Sequence, residues 1–271
     1  MSKRILSLKE VQDIELDILE YVHNICIKND IKYFVDFGTL LGAVRHKGFI
    51  PWDDDLDISL ARDEYEKLYS VLEKENHPHY KVISYKNCKE YPFPYFRVFD
   101  NRTYREHNLR YQNLQLGTCI DVFPYDGYVE KTEDKNNIIA LNRKRKLSVY
   151  NFKGIKNKNY FFKNIPRFLG LLLYKTTKVS DWNKKIDEKS KKVNLKNSEY
   201  CCCSVIHEFK KDATLKTEWL YDLTDVEINR KIFKAPSHYK EFLTYEFGDT
   251  YMQLPPEGQR HAGGEKNYIE E

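Results

Sequence analysis

Asp55 and Asp57 are separated by a single leucine, within the run Asp53-Asp54-Asp55-Leu56-Asp57-Ile58. On an extended strand, residues two apart point to the same face. Two carboxylates on one face repel each other unless something positive lies between them. A hard divalent cation, Mg²⁺ or Mn²⁺, is the usual answer, and it favours carboxylates together with substrate phosphates. Shortly before this run stands Gly38-Thr39, after the apolar residues 33–35 and ahead of the apolar stretch 40–44. That order predicts a strand end, a Gly-Thr junction and the first turns of a helix. Such a junction offers backbone N–H groups and a hydroxyl to a phosphate. Arg45, His46 and Lys47 add positive charge, Gly48 and Pro51 end the helix, and Trp52 leads into the acidic run. Asp runs also occur in turns and at helix N-caps. The order strand, Gly-Thr, helix, Pro-Trp, acidic run, strand favours chemistry, namely transfer of a phosphorus-containing group.

Other residues extend the set. Thr118-Cys119-Ile120-Asp121-Val122-Phe123 reads as a buried strand interrupted by one carboxylate. A lone Asp in an apolar strand needs a partner, and a metal shared with Asp55 and Asp57 would be one. Asp126 beyond it is the second candidate for that carboxylate and otherwise reads as a turn residue. Arg97 is the one charge in the alternating stretch 95–99. It faces solvent, or, if its strand flanks the acidic one, a phosphate. Arg260 and His261 in the tail either close over a bound phosphate or belong to a flexible terminus.

The stretch from Gly38 to Asp57, GTLLGAVRHKGFIPWDDDLD, resembles the LicD family, the phosphocholine transferases of bacterial surface glycans. So do Ile120-Asp121-Val122-Phe123-Pro124 and the segments around Phe247-Gly248-Asp249-Thr250-Tyr251 and Leu254-Pro255-Pro256. The likeness touches both ends of the chain and is loose in the middle. It implies an α+β fold: a nucleotidyltransferase-like mixed sheet flanked by helices, distantly related to fukutin-like ribitol-phosphate transferases. In that fold a third carboxylate on a neighbouring strand completes the metal site, which points to Asp121.

The elements that must position these residues can be read along the chain. Residues 7–28 carry an apolar helical face through Leu8, Val11, Ile14, Ile18, Leu19, Val22 and Ile25, with Ser7 and Glu10 as a capping box. Glu15 falls within that face and Leu16 outside it. Residues 63–74 read as a helix, 80–84 and 95–99 as strands, and Asp100-Asn101 as a hairpin turn into Thr103-Tyr104. Helices are expected at 131–150, 165–175 and 182–192, the last capped by Asp181, with a basic loop at 151–159. Strands are expected at 199–205, 219–223 and 230–234, with a turn at 223–225. A helix at 237–247 ends on Gly248, and the tail 254–261 is irregular. The predicted organisation is a catalytic core at 1–130, a basic helical insertion at 131–198 and a C-terminal part at 199–271 that packs on the core.

The 271 residues suffice for one large domain with an elaboration. No apolar run is long enough to span a bilayer, and the charged N-terminus is not a signal peptide, so the expected location is cytoplasmic. The six cysteines have neither disulfide nor zinc spacing, consistent with reduced thiols. The net charge of +4 conceals a split. Residues 143–196 hold 17 of the 45 Lys and Arg but three of the 41 Asp and Glu, which leaves 28 basic and 38 acidic residues elsewhere. Either this segment has a solvated basic face, or it rests peripherally on the anionic inner face of a membrane through 143–196. No nucleic-acid motif accompanies the charge.

The expected reaction, with its substrates drawn from the resemblance, is metal-dependent transfer of phosphocholine, or a similar phospho-alcohol, from CDP-choline or another CDP-alcohol to a sugar hydroxyl. The acceptor would be a cell-surface glycan or its lipid-linked precursor. Asp55, Asp57 and Asp121 would hold the metal. Gly38, Thr39, Arg45, His46, Trp52, Arg97 and Arg260 would face substrate. The alternatives are a catalytically inactive nucleotide- or glycan-binding protein of the same fold, and a glycosyltransferase using its D-x-D.

Overall fold

The computed structural model describes residues 3–107, 109, 111, 114, 116–128, 131–149, 177–206, 215–260 and 266–270. The helix expected at 165–175, the basic loop 151–159 and His261 lie outside the described residues.

The chain opens with β1 (Lys3–Ile5), α1 (Leu8–Lys28), β2 (Phe34–Val35), α2 (Phe37–His46), β3 (Leu56–Ala61) and α3 (Arg62–Lys74). Next come β4 (Tyr80–Ile83), β5 (Phe96–Asp100), β6 (Thr103–Arg105), β7 (Cys119–Gly127) and α4 (Thr132–Val149). Then follow α5 (Val179–Ser190), β8 (Cys201–Cys202), β9 (Leu223–Ile228), β10 (Lys231–Pro236), α6 (Tyr239–Phe247) and β11 (Asn267–Glu270). The fold is α+β around a six-stranded mixed sheet ordered β2-β3-β7-β5-β4, with β8 paired to the end of β7. The β3–β7 pair is parallel and its neighbours are antiparallel. Apolar side chains of the central strands (Ile58, Leu60, Phe96, Val98, Ile120 and Val122) join Ile18, Leu19 and Val22 of α1 in the core.

Local chemistry explains most element ends. Ser7 caps α1 in the expected box, its N–H donating to Glu10 Oε2 at 2.8 Å. Both Glu15 and Leu16 are buried, so α1 is covered on more than its apolar stripe. Asp36 caps α2 by accepting from the Phe37 N–H at 2.9 Å. The helix therefore starts before Gly38, and Gly38-Thr39 lie in its first turn. At Gly42, a Cβ would come within 2.6 Å of the Gly48 carbonyl, so only glycine lets the 48–50 loop return across α2. Gly248, at φ 79, ends α6 as expected.

Several expectations give way to longer-range pairing. The hairpin from β5 into Thr103-Tyr104 does not form. β6 pairs with β11, which also pairs with β1, so a small three-stranded sheet binds both ends of the chain to the core. Thr103 Oγ1 donates to the Asp100 carbonyl and accepts from the Thr118 N–H, fixing the chain as it leaves the main sheet. Asp126 is a strand residue, buried and paired with Arg62 at 2.5 Å. Residues 217–220 form a short 3₁₀ turn, and the hairpin is β9–β10, turning at Asn229-Arg230. Both turn residues have positive φ, 49 and 67, as a tight hairpin turn requires. α5 begins at Val179, so Asp181 sits in its first turn and caps nothing. β8 covers two residues of the strand expected at 199–205. The strand β11 beyond the irregular tail was not foreseen.

Candidate active site

Strand register aligns the candidate residues. Asp57 on β3 stands beside Asp121 on β7, and Asp121 stands beside Arg97 on β5. Paired residues in register share a sheet face. The three therefore form one row, carboxylate, carboxylate, guanidinium, across three adjacent strands. Arg97 thus flanks the strand of Asp121, not that of Asp55 and Asp57. Burial of the Asp57 carboxyl, and next the charge of Asp121, push its pKa well above the usual carboxylate range.

Arg97 grips both oxygens of Asp121: Nε bonds Oδ1, and Nη2 bonds Oδ2 at 2.9 Å. The Tyr95 hydroxyl donates to the same Oδ2 at 3.2 Å. The Arg97 guanidinium lies over the Phe93 ring, 4.2 Å from its centroid, and Phe93 stacks on Tyr95. The loop before β5 is therefore an aromatic seat for the arginine that holds Asp121.

Asp55 lies just ahead of β3, with 55% of its side chain exposed. Arg105 of β6 reaches it at 3.2 Å and Asp54 at 3.6 Å. One oxygen from each of Asp53, Asp54 and Asp55 comes within 4.8 Å of the others. Asp55, Asp57 and Asp121 are not drawn into such a cluster: Arg105 faces Asp55, Arg97 turns Asp121 toward β5, and Asp57 stands between. Burial, and after it the charges of Asp55 and Asp54, raise the Asp53 carboxyl to about 6. Glu15 of α1 is fully buried behind this run, and neither carboxylate oxygen has a hydrogen-bond partner. Burial, then Asp55, raise its pKa strongly.

Thr39 serves the row directly. Its Oγ1 accepts from the Asp57 N–H at 2.7 Å, tying the first turn of α2 to β3. A Cβ on Gly38 would meet Asp53 Oδ2 at 3.0 Å, so the missing side chain lets the acidic run approach the helix start. The first N–H groups of α2 are not consumed by its own ladder.

Arg45, His46, Trp52 and Arg260 form a separate group at the other end of α2. Arg45 Nε donates to His46 Nε2 at 2.9 Å, and its Nη1 donates to the carbonyls of Tyr251 and Gln253 at 2.9 and 3.2 Å. His46 meets Trp52 edge-on, and the Arg260 guanidinium lies 5.6 Å from the Trp52 ring centroid. These residues bind the C-terminal tail to the motif helix.

An oxygen-rich set of neighbouring carboxylates with surplus negative charge suits a hard divalent cation. Burial beside Asp121 makes Asp57 costly to ionise, and Arg97 is committed to Asp121, so a cation reaching Asp57 would relieve that cost. Sequence reasoning missed Arg105, Tyr95 and the loop around Phe93. The oddity of Glu15 on an apolar face was the one local signal toward this side of the site.

Comparison with known proteins gives the chain its relatives. The family described as LicD/FKTN/FKRP, nucleotidyltransferase domain, matches residues 30–153. The chain is 30% identical over 261 residues to the lipopolysaccharide cholinephosphotransferase LicD of Haemophilus influenzae, covering 93% of this chain and 94% of that protein. It is also 33% identical over 125 residues to an uncharacterised protein of Rickettsia prowazekii, 46% of this chain and 36% of that one.

Proposed function

Because this chain belongs to the LicD family, we propose that it transfers phosphocholine, or a closely similar phospho-alcohol, from a CDP-activated donor to a sugar hydroxyl of a cell-surface glycan. The observation that carries this reading is the row Asp57, Asp121, Arg97, set beside the first turn of α2. The acceptor hydroxyl oxygen bonds to the phosphorus as the bond to the departing CMP breaks. Asp55, Asp57 and Asp121 would hold Mg²⁺ or Mn²⁺. When bound, that ion supplies charge stabilisation to the pyrophosphate and the leaving CMP. Gly38 and Thr39 present first-turn N–H groups to a donor phosphate. Arg97 contributes a fixed positive charge at the edge of the row. His46, Trp52 and Arg260 line the far end of the motif loop, where donor or acceptor extends. No described helix is long and apolar enough to cross a membrane. We place the enzyme on the cytoplasmic side, meeting a lipid-linked acceptor peripherally through 143–196.

The test is calorimetric binding of CDP-choline, CDP-glycerol and CDP-ribitol with and without Mn²⁺, paired with a transfer assay. Metal-dependent binding of CDP-choline, with transfer to glycan, is the expected outcome. Preference for another CDP-alcohol keeps the mechanism and changes the substrate. If no CDP-alcohol binds in a metal-dependent way, the proposal fails and a non-catalytic binding role or a glycosyltransferase takes its place.

A further inference from the structure

We propose that Arg145 on α4 and Asn183 on α5 are positioning residues for the catalytic row, acting through the backbone of loop 91–95. Arg145 Nη1 donates to the Pro92 carbonyl at 2.6 Å, and Asn183 Nδ2 donates to the Tyr91 carbonyl at 2.9 Å. Both side chains are buried, Asn183 completely. The Arg145 guanidinium also lies 5.9 Å from the Phe93 ring centroid, the ring on which Arg97 rests. Residues 91–95 form no helix or strand, so these carbonyls have no ladder to join. Buried carbonyls require partners, and here two helices remote in sequence supply them. The loop carries Phe93 and Tyr95, which seat Arg97 and bond Asp121. A shift of the loop is therefore a shift of Arg97 and Asp121 relative to Asp57.

The platform beneath is itself fixed. Asp187 of α5 accepts from Arg62 at 2.8 Å and from the Tyr85 hydroxyl at 2.6 Å, and Arg62 pairs with Asp126 of β7. α5 is thus anchored to the sheet from one side, and both helices grip the loop from the other. Merely filling space would not require two donors directed at successive carbonyls.

The experiment compares Arg145→Met, Asn183→Asp and Arg145→Lys with the exposed control Asn136→Asp on α4. Amide hydrogen exchange is read by segment, and transfer kinetics are split into kcat and KM. Exchange at 91–97 should rise on the order of tenfold in Arg145→Met and Asn183→Asp, with β3 and β7 still protected. Transfer, which rests on the function proposed above, should fall about 100-fold in kcat with acceptor KM unchanged, as expected for a displaced catalytic group. Arg145→Lys, which keeps a donor, should recover most of both, and the control should match wild type. Unchanged exchange at 91–97 in both variants overturns the proposal. So does a loosened loop with wild-type kcat. Should Arg145→Met lose protection throughout, Asn183→Asp and Arg145→Lys decide by the same criteria. If the wild-type protein transfers nothing, the transferase reading has failed separately, and the exchange pattern alone decides whether the two residues hold the loop.

Discussion

Under the proposed mechanism, Asp57 trades stability for chemistry. It is a half-buried carboxyl beside a second carboxyl, and its raised pKa reflects burial first and Asp121 second. Replacing it with asparagine keeps the shape and removes the repulsion. We therefore expect Asp57→Asn to lose transfer activity by at least about 100-fold, in line with losing a group that organises transition-state charge. The same variant should melt no lower than wild type in metal-free buffer, since functional carboxylates are held at a cost in stability. Calorimetric melting with a transfer assay checks both halves. A clear drop in Tm would mean that Asp57 is a structural anchor. Arg97 sits on the other side of the balance. Its two bonds to Asp121 and its seat on Phe93 give it a fixed orientation, which lysine cannot reproduce with a single ammonium.

Elements bring these residues together through a few close approaches. Gly42 lets the 48–50 loop lie against α2, and Ala there would place its Cβ 2.6 Å from the Gly48 carbonyl and 3.1 Å from the Ile50 nitrogen. Those are backbone atoms that cannot swing aside, so Gly42→Ala should cost about 1–3 kcal/mol, as overpacking does. A shift in the urea midpoint measures it, and an unchanged midpoint would show that the loop yields freely. Glu66 of α3 ties three elements by bonding Lys86 beyond β4, Lys191 beyond α5 and Arg62 on its own helix. Burial raises its carboxyl, but the bonds from Lys191 and Lys86 outweigh that and hold it at about 2, against an ordinary 4.5. A depressed acid stabilises the fold above its unfolded pKa and loses that contribution as pH falls through the folded one. The stability gap between wild type and Glu66→Gln should thus be full above about pH 5 and close towards pH 2. Equilibrium unfolding across that range reads the gap, and a pH-independent gap would rule out the ion pairs as its source. The motif from Gly38 to Asp57 was legible in the sequence because its strand, helix and acidic run are consecutive. Asp121 was legible because a lone carboxylate stands out in an apolar strand. Arg105, Tyr95 and Asp126 were not, because their roles arise where strands distant in sequence become neighbours. β6 illustrates this: its local pattern suggested a hairpin, but its partner is β11, more than one hundred and fifty residues on.

At the scale of the whole molecule, the described basic residues of 143–196 are put to two different uses. Arg145 is buried against loop 91–95, and Lys191 is spent on Glu66 and Asp187. Arg143, Lys146, Lys184 and Lys185 stay exposed on the same two helices. Lys185 lies over the Trp182 ring, which leaves a cationic surface with an aromatic beside it. The chain outside this segment is net acidic, so attraction to an anionic bilayer is expected chiefly through this segment. A lysine near an anionic membrane contributes about 1 kcal/mol. Lys146→Gln, Lys184→Gln and Lys185→Gln together should therefore weaken binding to phosphatidylglycerol vesicles by roughly two orders of magnitude at low salt. Raising salt to about 0.5 M should weaken the wild type in the same direction, because the screening length then falls below that at physiological salt. Co-sedimentation with anionic and neutral vesicles separates the cases. Equal binding to both, or binding indifferent to the three lysines, would leave the basic face as a solvated surface and the two buried contacts to loop 91–95 as what α4 and α5 give the protein. A salt-sensitive loss confined to anionic vesicles would mean that the helices holding loop 91–95 also set the protein against an anionic membrane surface.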